Sequence, residues 1–147
     1  MYAPEIRRFR ARPPAAAADG TVVGTAPDDT VWRRYPQSGW TQLPGRLRRI
    51  AIRSANEILG AAPDDRLFSW NGSDWDGLDG RACEVAIGGR PGVAPELWCV
   101  NRESQRFWRS AGWERDVAGF PRADRMSLAG AHALCQIGSR LFVKLRD

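Results

Sequence analysis

A chain of 147 residues, 43% of them hydrophobic, is long enough for one compact domain with a usable core. Its net charge of +5 rests almost wholly on arginine, with Lys144 the single lysine. One histidine (His132) and three cysteines (Cys83, Cys99, Cys135), none in a CxxC pair, leave almost no room for His-based zinc sites, Ser-His-Asp triads, Cys-His dyads or a disulfide framework.

No apolar run approaches the roughly 18–20 residues that span a bilayer, so no membrane insertion is expected. The opening "MYAPEIRRFRARPP" has no apolar stretch after its charges and does not read as a signal peptide. A cytoplasmic location follows as the default, with release by a non-classical route as the other option. Arginine suits phosphate and carboxylate. Here, however, the arginines are spread along the chain as on solvated strand faces, and no nucleic-acid partner is expected.

In chain order, "IRRFRAR" at 6–12 reads as a strand. The alanines at 15–18 follow Pro13 and Pro14 and read as an inserted loop. "TVVGTAPDDTVW" at 21–32 then gives two strands around a turn. Trp40 opens a phrase, "WTQLPGRLRRIAI", that returns at Trp75 as "WDGLDGRACEVAI" and at Trp113 as "WERDVAGFPRADRMSL", spacings of 35 and 38 residues. A glycine follows each Trp, at Gly45, Gly80 and Gly119. Next come apolar residues two apart: Ile50 and Ile52, Val85 and Ile87, Met126 and Leu128. Second strands ("EILGAA", "ELWCVN", "HALCQI") and third strands ("RLFSW", "QRFWRS", "RLFVKL") complete the units. The spacing predicts four repeats, at about 1–39, 40–74, 75–112 and 113–147. Short strands at this period predict an all-β β-propeller in one domain over 1–147.

Two columns recur in register. Gly24, Gly60, Cys99 and Cys135 are small, as a crowded strand requires, so the two cysteines read as packing residues. Trp32, Phe68, Phe107 and Phe142 are aromatic and read as core. "APDD" stands at 26–29 and again at 62–65, between second and third strands. Proline at a turn corner followed by aspartate is turn chemistry, and "NRES" at 101–104 replaces it in the third unit. A shared metal or catalytic site would not survive that replacement, so no catalytic residue, metal or cofactor is assigned.

The phrase W-x-x-L-P-G-x-L-x-x-I-A-I at 40–52, "ELWCVN" at 96–101 and the recurring aromatic-then-arginine strand ends resemble tectonin repeats, over essentially the full chain. The resemblance implies a tectonin-type propeller that recognises glycans or lipopolysaccharide on cell surfaces without catalysis. The alternative it carries is a protein-interaction module within a larger assembly. That family commonly closes with about six blades. Four repeats therefore imply a small closed ring, or an open arc completed by a second copy or another protein.

Residues that break the repeat are the binding candidates. Trp70 stands where the other units have Arg34, Arg109 and Lys144, and it heads the polar turn "WNGSDW". A saccharide needs an aromatic wall and planar polar groups around it. Trp70, Asn71 and Asp74 form one such set, and Trp108 and Arg109 of "FWRSAGW" form another.

Overall fold

The computed structural model describes residues 14–89, 92–109, 112–115, 125–129, 132–137 and 140–145. These residues form four antiparallel sheets, each running in chain order. The first contains β1 (Ala15–Ala16), β2 (Val22–Thr25), β3 (Thr30–Arg34) and β4 (Trp40–Arg46). The second contains β5 (Arg49–Ser54), β6 (Glu57–Ala61), β7 (Arg66–Trp70) and β8 (Trp75–Arg81). In the third are β9 (Glu84–Gly88), β10 (Glu96–Val100), β11 (Arg106–Arg109) and β12 (Trp113–Arg115). The fourth, with three strands among the described residues, has β13 (Arg125–Ala129), β14 (His132–Ile137) and β15 (Arg140–Leu145). First strands meet in succession, β1 against β5, β5 against β9, β9 against β13, so the sheets stand side by side like propeller blades. Among the described residues no helix is long and apolar enough to cross a membrane.

The alanine run departs from the sequence expectation. Ala15 and Ala16 form a short strand, in register with Val23 and Val22. Gly20 closes that hairpin at φ +85° by donating to the Ala17 carbonyl (3.0 Å). A backbone ladder with a ready partner overrides the weak strand preference of alanine. Residues 6–12, expected as a strand, lie outside the described residues.

The Trp strand closes a sheet, whereas the sequence phrase opens a unit with it. Trp40 pairs with Arg34, Trp75 with Trp70 and Trp113 with Arg109, each on the strand before it. Two residues, Leu47 and Arg48, then lead from β4 to β5, and Ala82 and Cys83 lead from β8 to β9.

The two columns prove to be one device. Gly24 lies directly across from Trp32, Gly60 from Phe68, Cys99 from Phe107 and Cys135 from Phe142. At Gly60 the space is taken from the other side, because an added Cβ would run into the Leu47 side chain. The aromatics differ from their expected place in the core: Trp32, Phe68 and Phe107 are half-buried. Phe68 and Phe107 pack against the buried clusters, and Trp32 and Phe68 also line grooves at the surface.

The core lies between neighbouring sheets. Alternation along β6 sends Ile58 into a cluster with Val31, Leu43, Leu47 and Trp70, and Leu59 into a cluster with Leu67, Val85, Ile87 and Cys99. Each fully buried aliphatic side chain contributes about 1.5–3 kcal/mol. Tryptophans staple the joints. Trp75 Nε1 donates to the Pro44 carbonyl of the first sheet (2.8 Å), and Trp113 Nε1 to the Asp79 carbonyl of the second (2.7 Å). Beside each acceptor sits a glycine with φ near +80° or above, Gly45 under Trp75 and Gly80 under Trp113. A bulge at each makes the approach: register steps from Leu43 to Arg46 opposite Val31 and Thr30, and from Leu78 to Arg81 opposite Leu67 and Arg66.

Candidate functional site

The doubled "APDD" is a turn with a repeated hydrogen-bond pattern. Ala26 N donates to Thr30 O (2.9 Å) and Asp29 N to Ala26 O (2.9 Å). Ala62 with Arg66 and Asp65 with Ala62 repeat this at 2.8 and 2.9 Å, and Asn101 with Gln105 and Ser104 with Asn101 at 3.0 Å each. The last residue of each turn is left-handed: Asp29 at φ 67°, Asp65 at 69°, Ser104 at 60°. Aspartate tolerates that region through local hydrogen bonds, and in the third unit the Asn101 side chain supplies them by accepting from Glu103 N and Gln105 N.

These turns rim two grooves at equivalent places. One, of about 580 Å³, is lined by Ala26, Pro27, Asp28, Thr30, Trp32 and Gln42. Trp32 Nε1 donates to Thr30 Oγ1 (2.9 Å), which donates to Asp28 Oδ1 (2.6 Å), so the indole is fixed edge-on to a carboxylate. Gln42 lies across the strand pair from Trp32. The Thr30 hydroxyl and then its N–H hold the Asp28 carboxyl below its ordinary value, and it is charged at neutral pH.

The second groove, of about 520 Å³, uses the residues 36 positions on: Ala62, Pro63, Asp64, Arg66 and Phe68. Gly45, Arg46 and Leu47 of the first sheet and Asp74 and Trp75 of β7–β8 complete it. Arg66 Nε donates to Asp64 Oδ2 (2.7 Å), and its guanidinium lies 5.7 Å from the Phe68 ring centre. The Arg66 N–H foremost, with the guanidinium adding to it, lowers the Asp64 pKa. Each groove thus offers an aromatic face beside an ionised carboxylate, and the second adds guanidinium groups.

The candidate residues from the sequence fall into three positions relative to these grooves. Asp74 lines the second groove. Trp70 does not form an exposed wall: it is 6% exposed and packs in the core behind Trp75, with ring centres 5.0 Å apart and planes at 63°. Alternation of β7 turns it, with Phe68, toward the first sheet. Asn71 shapes the hairpin, accepting from Ser73 N (3.0 Å) and Asp74 N (2.8 Å) and donating to Asp76 Oδ1 (3.0 Å). Trp108 and Arg109 stand apart on β11. Arg109 binds Asp79 and lies 5.7 Å from the Trp113 ring centre, as a brace between the second and third sheets. The residues that sequence reasoning passed over are Asp28, Thr30, Trp32 and Gln42. Their signal was present as an acidic turn residue four positions before three of the four aromatics of the column, Asp28, Asp64 and Glu103, with Gly138 at that place before Phe142.

A family model described as Tectonin domain matches residues 14–123. Tectonin-2 of Physarum polycephalum is 27% identical over 71 residues, which is 48% of this chain and 19% of that protein, so the match spans about a fifth of the curated relative's length. Among solved structures, the computationally designed Ika4 protein superposes with a TM-score of 0.60 at 13% identity, over 90% of each chain, a likeness of fold alone. With the family model covering well over half of its length, and its Trp-to-Gly phrase serving as the joint between sheets, the chain belongs to the tectonin domain family.

Proposed function

We propose that the chain is a non-catalytic recognition protein that binds saccharides of surface glycans or lipopolysaccharide in its turn-end grooves. One observation carries this reading: an aromatic face beside a charged carboxylate recurs at the same repeat position, Asp28 with Trp32 and Asp64 with Phe68. A pyranose presents an apolar C–H face and a ring of hydroxyls. The Trp32 face suits the first, and Asp28 with the Gln42 amide suits the second. In the second groove Phe68 and Trp75 take the apolar role, and Asp64, Asp74 and Arg46 the polar one. Trp70 and Asn71 act from behind, by seating Trp75 and aiming Asp74.

The test is a glycan array and a lipopolysaccharide capture assay on the intact chain, with free sugar as competitor. Retention that free sugar displaces, weakened about tenfold or more by W32A or D28N, is the expected result. No retention, together with a stable complex with another protein, would favour the assembly-subunit reading instead. Light scattering on the same sample reads whether four blades close alone or through a second copy.

A further inference from the structure

At the hairpin end of the joint between the first two sheets lies a cluster rich in hydrogen-bond donors. Alternation along β3 points Val31 and Arg33 at the second sheet, and Tyr35 follows in the same register. The Arg33 guanidinium lies between two rings, 4.7 Å from the centre of Tyr35 and 5.6 Å from that of Trp70. Its Nη1 donates to the Ala55 carbonyl (3.0 Å). Its Nε is buried with no acceptor, and the Nε1 of Trp70, on a side chain only 6% exposed, is also buried with none.

Among the described residues no carboxylate pairs with Arg33. Asp19, the acid that the same network reaches, bonds to backbone N–H groups. It accepts from Thr21 N (2.9 Å) and from Ala55 N (3.0 Å), so the Ala55 peptide separates acid from base. Buried donors are normally paired, and a half-buried cation normally has a counter-ion. Here the Arg33 Nε and the Trp70 Nε1 lack an acceptor, and among the described residues no carboxylate answers the guanidinium. Tyr35, 41% exposed on the β3–β4 hairpin, forms the outer wall.

We propose that this cluster is a binding site for an oxyanion group, a carboxylate or a phosphate, held by Arg33 and Trp70 beneath the Tyr35 ring. The group required is an acceptor without donors, negatively charged and planar or compact. That describes a uronic acid or sugar phosphate as well as the free anion. A planar guanidinium suits such groups through paired N–H bonds. The site is separate from the turn-end grooves, which lie beside the β2–β3 and β6–β7 turns.

The experiment titrates the intact chain with inorganic phosphate, glucuronate and glucose, reading the Trp70 indole N–H resonance, assigned by its loss in W70F. Phosphate and glucuronate are expected to shift that resonance saturably and glucose to leave it in place. R33Q is expected to weaken both anions at least tenfold while the far-ultraviolet spectrum is kept. Binding of both anions with phosphate no weaker identifies a free-anion site, whereas glucuronate alone identifies an acidic sugar. If R33Q does not fold, W70F read by calorimetry replaces it, with the same loss expected. An unmoved Trp70 resonance, or anion affinity unchanged in R33Q and W70F, overturns the proposal. A failure of glycan-array binding leaves this result untouched, because the probe here need not be a saccharide.

Discussion

At the scale of single residues, position within the pleat decides what each side chain does. Gly45 has a φ of +80° and faces the Trp75 indole, where an added Cβ would stand 3.3 Å from Cδ1. G45A therefore meets both a left-handed backbone penalty and a crowded neighbour, and should lower stability by about 1–2 kcal/mol in urea unfolding. Burial pushes the Cys99 thiol up to about 12, and burial, with Asp65 and Glu84 nearby, raises that of Cys83. Neither is a thiolate at neutral pH. Iodoacetamide at pH 7 should leave Cys99 unmodified in the folded chain and label it fully in denaturant. That inert role was legible in the sequence, because Cys99 fell in a column with two glycines. The burial of Trp70 was not. "WNGSDW" announces a turn, yet nothing in those letters says whether the residue before the turn points inward or outward.

Hairpins and their turns carry the next level of organisation. The strand pairs and the turn between the second and third strands follow from alternation and from proline–aspartate chemistry, and both were readable. The phase of the sheet was not readable, since a repeat has no intrinsic first strand. Only the ladder from Arg34 to Trp40 assigns the Trp strand to the sheet before it. The grooves were hidden for a related reason: period-two alternation marks Trp32 and Phe68 as inward, and cannot say that both also line grooves at the surface. Charge ties one hairpin to the next sheet. Arg53 of β5 binds Glu57 of β6 and donates to Val93 O (2.8 Å) in the β9–β10 loop. The Arg53 guanidinium foremost, with help from the Ser54 hydroxyl, holds Glu57 below its ordinary 4.5. A lowered folded value adds stability above pH 4.5 and withdraws it as pH falls through that lowered value. E57Q should cost about 1–2 kcal/mol at pH 7 and flatten the loss of stability below pH 4.5, measured by urea midpoints across pH.

For the whole molecule, each described sheet leans on its neighbours in sequence, so stability divides into sheets and joints. Trp75 and Trp113 serve different joints, 38 residues apart in sequence, through bonds to different sheets. W75F and W113F should each lose about 1 kcal/mol with the fold retained, and the double variant should lose close to the sum. A double loss far from additive would mean that the joints open together. Either way the staple has a use beyond holding sheets. An indole N–H bonded to a carbonyl of the preceding sheet is held back from solvent exchange while that bond is made. The two staples are therefore built-in gauges, one per joint, on side chains that need no label. Deuterium uptake at Trp75 and Trp113 would report where along the row of sheets the molecule first comes apart, and how often.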